Sequence, residues 1–114
     1  MNLNTRTQGD VLILTPDSNR IDAAGAIHLK EQFRVATENT TGRVVMDLAE
    51  VEFMDSSGLG AIVSALKLLK GRKLELTGLT PVVAKVFKLT RMDQVFTIHT
   101  DLAAAVPDSD ADAA

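Results

Sequence analysis

The sequence predicts a small α/β sandwich, in which a mixed β-sheet opened by an N-terminal hairpin is backed by about four helices. Three observations carry this expectation. Short apolar, β-rich runs alternate with longer segments of helical periodicity, and strands joined by crossover helices lie parallel. The first two runs, by contrast, are separated only by the turn cluster Gln8-Gly9-Asp10, which suits an antiparallel pair. Finally, 114 residues is single-domain size, and the 46% hydrophobic and 24% charged content matches that of a folded globular chain.

The hairpin spans residues 3–15, its second arm being the run Val11-Leu12-Ile13-Leu14. Residues 16–20 are polar and turn-forming. Asp22 then caps a helix to about Thr37, with Ala26, Leu29, Phe33 and Ala36 at helical spacing. Arg43-Val44-Val45-Met46-Asp47-Leu48 is short and nearly all apolar, as a buried central strand requires. After a loop through residues 49–54, a second helix starts at Ser56 or Ser57 and runs to about Lys70. Leu59, Ile62, Val63, Leu66 and Leu69 form its apolar face, and Gly71 stops it. Lys73-Leu74-Glu75-Leu76-Thr77 alternates like a half-buried strand. Thr80-Pro81 pairs an N-cap with proline at the first helical position, opening a third helix to about Arg91. Val95-Phe96-Thr97-Ile98 reads as the last strand, and Asp101 begins a short Ala-rich helix. No internal repeat stands out. The expected domain covers residues 1–106, followed by an acidic tail, residues 107–114, too polar to pack and expected to be disordered.

Composition excludes many function classes. With no cysteine there is no disulfide, thiolate metal site or cysteine nucleophile. The net charge of -3 is matched by Asp108, Asp110 and Asp112 in the tail, so the rest of the chain is neutral, and its Lys and Arg are interleaved with acids. Direct nucleic-acid binding is therefore not expected, and four Phe with no Trp or Tyr offer little for base stacking. No apolar run is long enough to span a bilayer and the N-terminus lacks a signal-peptide stretch, which points to the cytoplasm. His28 and His99 read as surface residues, distant in sequence and without a zinc pattern. Pairs such as Glu50 with Glu52 are ordinary. The G-x-S-x-G elbow is absent, and Gly58-Leu59-Gly60 lacks the remaining residues of a dinucleotide or phosphate loop. No enzyme activity, cofactor or metal is expected.

The informative segment is Phe53-Met54-Asp55-Ser56-Ser57-Gly58-Leu59-Gly60, between strand and helix. A helix N-terminus favours negative charge, and these small residues leave it uncrowded, so a hydroxyl there is reachable. A phosphate on Ser56 would add nearly two negative charges beside Asp55, tolerated by the helix end but hostile to a docked partner. On these grounds alone ordinary N-capping is the stronger explanation of Asp-Ser-Ser, since most serines at helix starts are never modified. Gly60, Ser64 and Lys67 recur at helical spacing opposite the apolar face, in line with Ser56. Lys67 fits a partner contact and a solvated helix face alike.

Met54-Asp55-Ser56-Ser57-Gly58-Leu59-Gly60 resembles the signature of the STAS domain, and the chain looks like a bacterial anti-sigma factor antagonist over nearly its whole length. Arg20-Ile21-Asp22, the run Arg43 through Leu48 and Thr80-Pro81-Val82-Val83 resemble the family's approach to its first helix, its central strand and the start of its third helix. The resemblance implies a STAS-like sandwich and a partner-switching cycle. The unphosphorylated protein binds an anti-sigma factor serine kinase and frees its sigma factor; phosphorylation of Ser56 breaks that complex; a serine phosphatase resets it. Asp22 and Asp55 are implied as supports of partner contact and Ser57 as a cap or secondary site, with Gly58, Gly60, Ser64 and Lys67 completing the expected partner-binding set. The chain departs from the family pattern at Pro16-Asp17-Ser18-Asn19, where a glycine is common, and in its acidic tail. Two further readings stand beside the switch: a constitutive STAS subunit of a membrane lipid-transport complex, and a small-molecule or nucleotide-binding STAS domain at the positive end of the second helix.

Overall fold

The computed structural model describes residues 1–106; the expected disordered tail over 107–114 lies outside the described residues. The hairpin forms as expected, with β1 (Leu3–Gln8) antiparallel to β2 (Val11–Pro16). A two-residue strand, β3 (Arg20–Ile21), leads into α1 (Ala23–Thr37), and β4 (Val44–Asp47) returns through the middle of the sheet. A second two-residue strand, β5 (Phe53–Met54), enters α2 (Ser56–Leu68). Then follow β6 (Leu74–Thr77), α3 (Pro81–Leu89), a 3-10 turn (Met92–Gln94), β7 (Thr97–His99) and α4 (Leu102–Ala105).

The main sheet has the order β1-β2-β4-β6-β7, parallel from β2 onward, with Leu14, Met46, Leu76 and Ile98 in register across it. From β2 to β7 each crossover steps in the same direction. Right-handed connections that all step one way place their helices on one face. Accordingly Leu12, Leu14, Val44, Met46, Leu74 and Leu76 share a core with Leu29 and Phe33 of α1, Ile62 of α2 and Phe87 of α3. The alternate residues Val11, Ile13 and Val45 point the other way and are covered by Ala105 and Val106, at and just after the end of α4. Both faces of β2 and β4 are thus buried over residues 11–14 and 44–46, which is why those runs are apolar without alternation.

Several expectations need correction. The segments read as a turn before α1 and a loop before α2 contain β3 and β5, which pair in parallel as a separate small sheet. The β6 strand is buried on both sides, not one, because Arg43, His99 and the end of α4 cover its outer face. Glu75 is only 8% exposed and accepts two hydrogen bonds from the Arg43 guanidinium, at 2.9 and 2.6 Å, plus a 2.8 Å contact with His99 Nε2. His99 is therefore half-buried against a carboxylate, whereas His28 is exposed as expected. The last strand begins at Thr97 because the 3-10 turn occupies the preceding residues, and its start follows Arg91 at φ 61. Thr80 stands at the N-cap of α3, but its hydroxyl donates 2.7 Å to the Val51 carbonyl and ties the helix start to the loop before β5.

Arg43 also donates 2.7 Å to the Ala105 carbonyl, so one guanidinium joins the start of β4, the middle of β6 and α4. Replacing Glu75 by Ala should destabilise the fold by about 2 kcal/mol, lowering Tm by roughly 10 °C in a thermal melt. The Glu75 carboxyl is held below its ordinary 4.5, first by the Arg43 hydrogen bonds and further by His99, against desolvation. The unfolded chain therefore binds this proton more readily. The stabilisation is present above the ordinary value and is lost as pH falls through the lower folded one. Urea titrations of wild type and Glu75→Gln should show the gap between them narrowing from about pH 6 to about pH 3.

Candidate functional site

The site forms where two helices start side by side. β3 and β5 pair in parallel with Arg20 opposite Phe53 and Ile21 opposite Met54. The next residue on each strand is an aspartate, and both aspartates are N-caps. Asp22 accepts 3.1 Å from the Gly25 amide and Asp55 accepts 3.0 Å from the Gly58 amide. The sequence carries the same local pattern twice, Ile21-Asp22-Ala23-Ala24-Gly25 and Met54-Asp55-Ser56-Ser57-Gly58, a short similarity that reading the chain for repeats passed over. Its signal was the spacing Asp-x-x-Gly after an apolar residue.

The two starts are locked together from beneath. Gly58 is buried, and a Cβ built on it would lie 2.5 Å from the Ile21 carbonyl oxygen and 2.8 Å from the Met54 side chain. Only a hydrogen fits there. Gly58 thus packs the first turn of α2 onto β3, beneath the exposed serines that precede it. Glu52 and Phe53 amides donate 2.7 and 3.1 Å to the Asn19 carbonyl, fixing the approach to the pair.

On the outside, Ser56 and Ser57 are both exposed in the first turn of α2. Asp55 supplies the cap, so the Ser56 hydroxyl is not needed for it. Gly60 is exposed with nothing within 4 Å of a Cβ position, Ser64 is half-buried and Lys67 is exposed. The structure therefore brings Asp22, Asp55, Ser56 and Ser57 together at one end, and continues them along α2 through Gly60 and Ser64 to Lys67, two to three turns away. The Gly25 amide chiefly, and Arg20 in addition, hold the Asp22 carboxyl below its ordinary value, against desolvation.

Two residues at this end were not among the expected site residues. The Arg20 guanidinium lies 5.1 Å from the centroid of the Phe53 ring, and its Nε is 3.3 Å from Asp22 Oδ2. Phe53 is 44% exposed, unusual for the only aromatic on this surface strand pair. The cross-strand register that joins these two could not be read before β3 and β5 were seen to pair. Among the described residues no group of three or more His, Asp or Glu is placed to hold a metal ion, and no helix is long and apolar enough to cross a membrane.

The STAS domain family profile matches residues 2–105 of the chain. A curated relative, the anti-sigma-B factor antagonist of Listeria monocytogenes, is 35% identical over 83 residues, which is 71% of this chain and 73% of that protein. Among solved structures, an anti-sigma factor antagonist from Mycobacterium paratuberculosis superposes with a TM-score of 0.83 at 23% identity, covering 92% of this chain and 90% of that one. The phosphorylated form of the Bacillus cell fate determinant SpoIIAA superposes with a TM-score of 0.66 at 16% identity, covering 91% and 96%. At these identities the two structures establish the shared fold alone.

The two glycines of the signature should respond oppositely to alanine. Gly58→Ala forces the Ile21 carbonyl or the helix to move and should destabilise by about 2 kcal/mol despite alanine's better helix propensity. Gly60→Ala enters open space and should stabilise by up to about 1 kcal/mol. Equilibrium urea unfolding of the two variants beside wild type checks both signs.

Proposed function

The chain belongs to the STAS domain family and is related to the anti-sigma factor antagonists within it; from that premise we propose that it is itself an anti-sigma factor antagonist whose partner binding is switched by phosphorylation of Ser56. The unphosphorylated surface around Asp22, Asp55, Ser56, Ser57 and Gly60 docks an anti-sigma factor serine kinase, extending along α2 to Ser64 and Lys67, and so frees a sigma factor. The kinase transfers the terminal phosphoryl group of a nucleoside triphosphate to Ser56 Oγ: the bond from that phosphorus to the bridging oxygen breaks, an Oγ–P bond forms, and the hydroxyl proton leaves. A serine phosphatase returns the hydroxyl by hydrolysis. The domain is substrate and ligand in this cycle, needs no cofactor, and works in the cytoplasm. Residues 1–106 form the acting unit.

The observation that carries this reading is the division of labour in the first turn of α2. Asp55 satisfies the Gly58 amide, leaving the Ser56 side chain exposed and free of a capping duty. Modification there removes no stabilising hydrogen bond. The added phosphate, nearly two negative charges at pH 7, sits at the favourable end of the α2 dipole, so the fold tolerates it. A partner whose surface complements an uncharged serine flanked by carboxylates meets instead a dense anionic patch. A like-charge or desolvated contact of that kind is worth several kcal/mol at an interface, enough to dissolve a complex without unfolding either member. The shared fold of the phosphorylated Bacillus determinant supports a phosphate being carried on this scaffold.

The decisive experiment is a pull-down from the native cell extract with wild type, Ser56→Ala and Ser56→Asp as baits, with the state of Ser56 read by mass spectrometry. Wild type and Ser56→Ala should retain a serine-kinase-like protein that Ser56→Asp loses by at least about tenfold, a change of about 1.4 kcal/mol. Ser56 should carry phosphate in the cell. Retention of one membrane transport subunit by all three baits, with Ser56 never modified, would replace the switch by a constitutive scaffold.

A further inference from the structure

Arg20 stands among the carboxylates of the paired helix starts, held by more than surface solvation requires. Arg20 is the residue of β3 directly opposite Phe53 of β5, and its guanidinium carbon lies over the ring, 5.1 Å from the centroid. Its backbone is pinned on both sides by one hydroxyl: Ser18 Oγ donates 2.8 Å to the Arg20 carbonyl and accepts 3.3 Å from the Arg20 amide. The side chain reaches forward along the strand to Asp22 at 3.3 Å. Its other neighbours in charge are Asp55, one strand over at the register position of Asp22, and Glu52, which precedes Phe53. Aromatic stacking holds an arginine in place without using its N–H groups, whereas a carboxylate partner occupies only part of the fork.

Resting on the reading that Ser56 is phosphorylated, we propose that Arg20 is the positioning residue for that phosphate, turning on the Phe53 face from Asp22 to the phosphoserine. A phosphate dianion outcompetes Asp22 for the guanidinium, since Asp22 meets it with Oδ2 alone while the phosphate offers two oxygens in fork geometry and about twice the charge. Asp22 loses nothing structural in the exchange, because its Oδ1 still caps Gly25 and only Oδ2 meets Arg20. The exchange does alter the surface. Asp22 is left without its cation at the same moment that Ser56 gains a phosphate whose two charges one guanidinium only half neutralises, so one modification presents a bare carboxylate and a residual phosphate charge to a partner. Phe53 acts as the fixed pivot, which gives a reason for an exposed aromatic ring beside the site.

The test uses the full chain with phosphoserine placed at position 56 during synthesis, and follows the second ionisation of the phosphate by phosphorus NMR across pH. Arg20 favours the dianion, so Arg20→Gln should raise that ionisation by about half a unit to one unit. Arg20→Lys, which keeps the charge but not the fork, should restore part of the difference, and it remains informative if glutamine loosens β3. Arg6→Gln, an exposed arginine on β1, should titrate as wild type does. Identical titration of wild type and Arg20→Gln would overturn the assignment. Recovery of only unmodified Ser56 from cells would overturn the switching reading instead, without affecting this titration, because the phosphoserine is placed by synthesis.

Discussion

The close approach of α2 to the Ile21 carbonyl is the constraint on which the rest of the site depends. A parallel pair only two residues long has little stability of its own. It persists because Ile21 and Met54 are buried in the core between the helices, and because Gly58 lets the first turn of α2 settle onto Ile21. With these fixed, the two aspartates that follow stand in register, and each starts a helix by satisfying the amide three residues on. The orientation of Ser56 is then inherited from the helix start. The site is made from backbone geometry and packing, and its side chains need no catalytic activation to do what is proposed of them.

Stability and function sit in different parts of the molecule. The strongest ionic cluster, Arg43 with Glu75 and His99, lies on the face of the sheet away from the three large helices, where it fastens β4, β6, β7 and α4 together. Arg20 and Asp22 also pair, but on an open surface, where such a pair contributes little to folding. That contrast matters for a switch. A surface pair of small energetic value can be exchanged for a stronger one without endangering the fold, whereas removing a partner of the buried Glu75 carboxylate would cost stability. Partner exchange at the α2 end is therefore decoupled from the elements that keep the domain folded.

Much of the fold was legible in the residues because each element carries its own local signal. The hairpin turn at Gly9, the apolar run through Val44 and Met46, the Thr80-Pro81 start of α3 and the apolar face of α2 all rest on interactions within a few residues. The candidate Ser56 and its cap Asp55 were legible for the same reason. Glu75 was misread as facing solvent because alternation in Lys73 through Thr77 reports hydrophobicity, while burial of a carboxylate depends on a guanidinium thirty-two positions earlier. Likewise the burial of Gly58 is set by Ile21, which belongs to a different helix start.

By itself the sequence determined the order and type of the main elements, the mixed sheet opening in a hairpin, the family, and the reachable serine at a helix start, since periodicity, capping and motif are properties of contiguous residues. Only the tertiary structure decided that the three crossover helices share one face, that β3 and β5 pair, that Gly58 lies inside while Gly60 lies outside, and that Arg20, Phe53 and Asp22 meet beside Ser56. The physical reason is that amphipathic pattern states which side of an element must be covered and is silent on what covers it. That choice is made by strand order, handedness and close packing among residues far apart in the chain.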